Sequence, residues 1–249
     1  MPGWFIKGLV SSIKTTAFPK QPESARGAAP DRPMVTELPS HEQAKALAAA
    51  CPTGAISVGR NNAEVDLTRC INCMRCLRAE PPMQSTTDYG WARRLRSNNP
   101  MPASFRRSLH IRLIDTGACD AVIQEIKQLS KPYYNIHKLG FFITPTPRHA
   151  DVLMVTGPLT HHMRPALKKT YDAMPYPKWV IAVGGCALNG CVFSRGFTSS
   201  GGVLDDIPVD VEVPGCPPPP MAILHGLMLL AERVGEVQPR LITMPEHTP

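Results

Sequence analysis

The stretch from Lys178 to Cys191 changes character in its middle. Trp179, Val180, Ile181, Ala182 and Val183 form a continuous apolar run rich in β-branched and aromatic residues, the pattern of a strand buried on both faces. The next residues are bare or polar: Gly184 and Gly185 precede Cys186, and Gly190 precedes Cys191. A strand that ends in glycines and a thiol places that thiol at the carboxyl end of the strand, where open α/β sheets hold their ligands. The order strand, glycine, cysteine recurs twice. LHIRLI at 109–114 leads through Gly117 to Cys119, and VDVEV at 209–213 leads through Gly215 to Cys216.

Between these strands the periodicity alternates with helix. Residues 120–129 read as a helix through Ala121, Val122, Ile123 and Ile126, residues 141–144 and 151–157 as strands, and Thr160 as the cap of a helix running to about Met174. After the prolines of PGCPPPP, MAILHGLMLLAERV reads as a further helix. This order predicts an α/β fold with a mainly parallel sheet and helices on both faces over residues 108–249.

The first part of the chain reads differently. Trp4, Phe5, Ile6, Leu9, Val10 and Ile13 fall largely on one side of a helix, which suits a membrane interface, a partner helix or the protein's own core. Phe18 to Ser40 is rich in proline and reads as an extended arm, so residues 1–35 form a helix and arm. HEQAKALAAA at 41–50 has the composition of a helix; TGAISV and AEVDL after it read as a small hairpin. Residues 36–90 are thus a second, α+β domain. Residues 91–107 carry Arg93, Arg94, Arg96, Arg106 and Arg107 and read as a basic linker.

Composition narrows the chemistry. With 43% hydrophobic and 19% charged residues, the 249-residue chain has enough apolar sequence for two modest cores. Its 27 prolines suit long ordered connections. Eight cysteines without a secretory pattern point to metal in place of disulfides, and no run approaches the roughly 18 apolar residues of a spanning helix. A net charge of +7 admits a zinc-bound nucleic-acid module as a competing class. Against it, aromatics make up only 6% of the chain and no basic platform is interleaved with them, so nucleic acid is not expected as a partner.

The most specific motif is CINCMRC, a C-x2-C-x2-C run of Cys70, Cys73 and Cys76, preceded by a remote Cys51-Pro52. In this it resembles bacterial two-cluster ferredoxins, in which the last cysteine of each C-x2-C-x2-C-x3-C-P run serves the other cluster. The resemblance implies that Cys51 completes the ligand set of Cys70, Cys73 and Cys76. The second ferredoxin cluster is lost, because its thiol positions hold His41, Ala44, Leu47 and Glu80.

From about Leu109 to Val234 the chain is similar to the small [4Fe–4S] subunit family shared by complex I and the membrane-bound [NiFe] hydrogenases of the formate hydrogenlyase type. TPRHADVLMVTG, MPYPKWVIAVGGCA and IPVDVEVPGCPPPP carry the likeness. It implies a flavodoxin-like domain with a second [4Fe–4S] cluster, fused here to the single-cluster ferredoxin-like domain. Cys119, Cys186 and Cys216 match family thiols, but Val122 stands where hydrogenase relatives have another cysteine, so Cys191 is expected to supply the fourth ligand. Glu125 matches a family glutamate near the proton path of the large subunit. The implied protein is an electron-transfer subunit without substrate chemistry of its own. It would relay electrons through two [4Fe–4S] clusters to or from a large-subunit active site, nickel–iron or quinone. The implied partners are that large subunit, a membrane-embedded subunit, and another ferredoxin-like or dehydrogenase subunit, on the cytoplasmic side of the cell membrane.

Overall fold

The computed structural model describes residues 3, 15–21, 23, 32–33, 36–37, 40–59, 62–80, 82–86, 88–96, 99–193 and 195–236. The apolar face expected over residues 1–13 lies, apart from Gly3, outside the described residues.

Five parallel strands make the body of the larger sheet: β7 (Leu109–Asp115), β8 (Phe141–Ile143), β9 (Val152–Thr156), β10 (Trp179–Val183) and β11 (Val211–Val213). Their spatial order is β11-β10-β9-β7-β8. Numbered along the chain this is 2-1-3-4-5, the doubly wound order of flavodoxin-like sheets, in which ligands sit beyond the carboxyl ends of the strands. The apolar run at 179–183 is buried at every position, as a central parallel strand requires.

Helices cover both faces. On one, α2 (Ala121–Gln128) and α5 (Pro220–Leu230) pack with Ile111, Met154, Ile181 and Val213. On the other, α3 (Met163–Asp172) and α4 (Gly185–Asn189) pack with Ile114, Val155, Val180 and Ala182. Helix α5 is buried from Met221 to Leu230, which explains an apolar sequence with no polar stripe.

Two features differ from expectation. Thr160 does not cap α3, which starts at Met163 after His162; its hydroxyl donates to Thr116 O at 2.9 Å, and the residue forms a bridge with Ser199. The basic stretch is not a free linker either. Arg93–Arg94 form β6, an antiparallel edge strand on β11, and Trp91 is buried. Arg94 donates to Leu229 O at the end of α5, and Arg106 pairs with Glu232.

The smaller unit packs α1 (His41–Ala50) on a hairpin of β3 (Ile56–Val58) and β4 (Asn62–Val65), around Ala44, Leu47, Ile56, Ala63 and Met83. Ser40 caps α1 by accepting from Gln43 N at 3.3 Å. The arm before it is not loose. Its β1 (Arg32–Pro33) pairs with β5 (Ser85–Thr86), and its β2 (Thr36–Glu37) adds a third strand beside β4. Arg32 is buried and makes a forked contact with Asp88, at 2.8 and 2.9 Å from Nη2. Farther back, Phe18 is buried edge-on against Tyr89 and His225.

Removing one member of a buried ion pair strands the other charge, so Arg32→Ala is expected to cost about 3 kcal/mol, read as a lower urea midpoint at unchanged slope. His225 gives a second expectation. It is fully buried, its Nε2–H donates to Gly235 O, and burial holds its pKa below the ordinary value. The unfolded chain therefore takes up the proton first as pH falls. Stability from this residue is fully present above about pH 6.5 and is lost progressively below it. Urea midpoints should fall on acidification from pH 7.5 to 5.5, and fall less in His225→Leu.

Candidate metal centres

The first set of thiols is built where α1 meets the hairpin and its following loop. Cys51 ends α1, its N–H bonded to Ala48 O, and its Sγ accepts from Ala55 N at 3.3 Å. After β4 the chain curls through Asn72 (φ 51°) and Met74 (φ 61°), both left-handed, which bends C-x2-C-x2-C around a centre. Cys70 Sγ accepts from Asn72 N at 3.4 Å. Cys51, Cys70, Cys73 and Cys76 thereby line one cleft of about 360 Å3, counted to its open mouth and walled by Pro33, Ile56, Val65 and Ile71.

The titration of these thiols follows from where they sit. Burial alone would raise Cys51, but hydrogen bonds from Thr53 and Ala55 outweigh it and the pKa falls. Burial pushes Cys70 up to about 11 against the N–H of Asn72, and raises Cys76 too. Four thiols round one partly apolar cleft are a soft donor set, suited to iron–sulfur or zinc, and their backbone N–H donors favour the thiolate.

The second set lies at the carboxyl edge of the large sheet. The β10–β11 ladder runs on past the strand ends, with Gly184 N donating to Val213 O and Gly185 N to Gly215 O, each at 2.8 Å. This holds the chains bearing Cys186 and Cys216 side by side. Side chains are excluded there: a Cβ on Gly184 would lie 2.9 Å from Val122, and one on Gly215, at φ +129°, would lie 2.8 Å from Trp91 and Pro218. Cys186 is the second residue of α4, and Gly190 (φ +86°) then Cys191 (φ 47°) turn the chain back. Cys191 N donates to Asn189 Oδ1 at 2.8 Å, which fixes the turn.

The Sγ atoms of Cys186, Cys191 and Cys216 lie within 4.8 Å of one another. Hydrogen bonds from the Cys186 and Cys216 thiols push the Cys191 thiol down from its ordinary value. Hydrogen bonding to Cys191 and Cys216, then burial, raises Cys186. The structure thus brings Cys191 together with Cys186 of its own connection and Cys216 of the loop after β11.

Cys119 is placed differently. It is exposed and stands outside that group of three. Asp115 Oδ1 accepts from Gly117 N and Ala118 N, Thr116 donates to Thr156 O, and Asp120 is left-handed, so the loop that carries Cys119 is well tied at its base. Val122 is buried against Gly184 and is a core residue. Glu125 is half-buried, and burial raises its carboxyl.

Sequence reasoning did not foresee that the two sets touch. Asn189 Nδ2 donates to Thr68 Oγ1 at 2.9 Å, and Cys191 Sγ lies 3.8 Å from Arg69 O, one peptide bond before Cys70. Nor did it place Pro33 of the arm in the wall of the first cleft. The polar Asn189-Gly190 turn beside a thiol was the only signal of the contact.

Substituting Gly215 by alanine forces a left-handed alanine into contact with Trp91. The expected loss is about 2 kcal/mol, seen as a lower denaturant midpoint, with the distance between Cys186 and Cys216 loosened.

Residues 119–230, which include Cys119, Cys186, Cys191 and Cys216, match the sequence profile of the NADH ubiquinone oxidoreductase 20 Kd subunit family. An uncharacterized protein of Methanocaldococcus jannaschii is 42% identical over 141 residues, 57% of this chain and 90% of that protein. Among solved structures, a chain of the membrane-bound sulfane sulfur reductase, an archaeal respiratory membrane complex, is similar at 30% identity and a TM-score of 0.46, over 52% of this chain and 71% of that one. A chain of the NAD+-reducing [NiFe]-hydrogenase in its H2-reduced state is similar at 17% identity and a TM-score of 0.43, over 53% of this chain and 96% of that one. The extent of the shared sequence, together with a parallel sheet that delivers thiols to its carboxyl edge, makes the chain a member of the NADH ubiquinone oxidoreductase 20 Kd subunit family.

Proposed function

We propose that this protein is the electron-transfer subunit of an oxidoreductase complex of the complex I and membrane-bound hydrogenase kind, carrying two [4Fe–4S] clusters in one chain. The observation that carries the reading is the partition of the thiols: Cys51, Cys70, Cys73 and Cys76 line one cleft, and Cys186, Cys191 and Cys216 converge at another site in a domain of this family. Cys119 is the remaining thiol near that second edge and completes the proposed ligand set. In this reading the smaller unit is ferredoxin-like, and the whole is a fusion of modules related to those of formate hydrogenlyase.

Bound clusters would accept and pass on single electrons. The chain supplies the thiolates, the N–H groups of Ala55 and Asn72 aimed at sulfur, and a partly apolar wall that limits water. Its partner would be a large subunit with a nickel–iron or quinone site, and a further ferredoxin-like or dehydrogenase subunit would exchange electrons with it. No helix among the described residues is long and apolar enough to cross a membrane. We place the subunit on the cytoplasmic face, peripheral to a membrane-embedded subunit, with the apolar face of residues 1–13 as its contact.

Anaerobically prepared protein should contain about eight irons with equal sulfide. Cys73→Ser should remove one of two EPR signals and leave the other unchanged, since Cys73 belongs to the first cleft alone. Four irons, or stoichiometric zinc in a colourless protein, would refute the two-cluster assignment.

A further inference from the structure

The two thiol sets meet through a junction of few atoms. The segment just before Cys70 lies against the segment just before Cys191. Gly185 has no room for a side chain there, because a Cβ would stand 2.6 Å from Thr68 O. Asn189 spans the gap and uses both ends of its amide: Nδ2 donates to Thr68 Oγ1, and Oδ1 accepts from Cys191 N. Thr68 is itself fixed from its own side, its N–H bonded to Asp66 Oδ1 at 2.9 Å. As a result Cys191 Sγ rests 3.8 Å from Arg69 O, and from that carbonyl the path to Cys70 Sγ is covalent.

We infer that this contact is the electron route between the two centres, with Cys191 and Cys70 as its terminal thiols and Asn189 and Thr68 as the positioning residues that hold the gap closed. The inference rests on the two-cluster reading and adds to it which thiol of each set faces the other. With clusters held by the two thiol sets, one electron would pass, the donor centre being oxidised by one unit and the acceptor reduced by one, with no bond made or broken. The reductant in the test is dithionite, and the oxidant is the centre at the other end.

The geometry argues for a built contact over a chance one. A glycine was needed at 185 for the close approach, and Asn189 ties Thr68 of the smaller unit to the turn that carries Cys191. Cys191 Sγ itself meets the smaller unit at a backbone carbonyl, that of Arg69.

The test uses the full chain loaded anaerobically with iron and sulfide. Thr68→Val keeps the side chain's shape but removes the acceptor of Asn189, and leaves the Asn189–Cys191 turn intact. Gly185→Ala wedges the two segments apart. In the wild type, both centres reduced, the two EPR signals should show mutual splitting or broadening, and electrons delivered to one centre should equilibrate quickly with the other. Thr68→Val should weaken the splitting and slow equilibration about tenfold or more, in the range that ångström-scale misplacement of reacting groups produces. Gly185→Ala should do the same more strongly. Iron content is measured in each protein, so that loss of a centre is not mistaken for loss of the route. Eight irons with unchanged splitting and rate in Thr68→Val and Gly185→Ala would overturn the route while leaving the two-cluster reading standing. Four irons in the wild type would overturn both. If Gly185→Ala fails to fold, Thr68→Val alone decides.

Discussion

The structure depends most on the hydrogen-bond ladder between β10 and β11 continuing beyond the strands themselves. Parallel strands end together only when their neighbours hold them in register, and here Gly184 and Gly185 extend the pairing to Val213 and Gly215. Two loops that would otherwise diverge at the end of the sheet are held a few ångströms apart. The 2-1-3-4-5 strand order then sets where the remaining loops fall, with the β7 loop of Cys119 one strand beyond β9. The apolar helices that bury both faces supply the stability, and the site takes its shape from the backbone.

Much of this was legible in the sequence because it is local. Strand β10 and helix α1 fall on the residues that periodicity and propensity select, since a run of buried β-branched residues and a run of alanines are each decisive alone. Helix α4 was not legible: five residues, two of them glycine or asparagine, carry no period, and it closes through Gly184 O, which accepts from Ala187 N and Leu188 N, and Cys186 O, which accepts from Gly190 N. The strands β1, β2, β5 and β6 have two residues each and exist only through partners far along the chain, such as Arg32 with Thr86 and Arg94 with Val211. Thr160 has the composition of a helix cap, yet its hydroxyl is drawn to Thr116 O across the sheet edge. Tertiary demand overrode local preference there.

The thiol sets show the same division. The C-x2-C-x2-C spacing announces the first by itself, because Cys70, Cys73 and Cys76 are near one another in any compact turn. The second needs a fold to assemble it. Cys191 joins Cys186 and Cys216 only because Gly190 and Cys191 both take left-handed backbone conformations, and an isolated reading of the sequence cannot separate that turn from a surface loop. The exposed position of Cys119 and the burial of Val122 are likewise consequences of packing behind the sheet edge.

The arm changes what a module means in this chain. Its strands complete the sheet of the smaller unit through β4, hold Ser85 and Thr86 through β1 and Asp88 through Arg32, and set Pro33 in the wall of the first cleft. Phe18, from the same arm, packs on Tyr89 and on His225 of the last helix. Neither unit has a clean edge along the sequence. A domain swap or an excision drawn at the boundary between them would carry away the cysteines and leave behind part of the vessel that holds them. The two units therefore share tertiary structure, since Phe18, Arg32 and Pro33 of one arm are built into both.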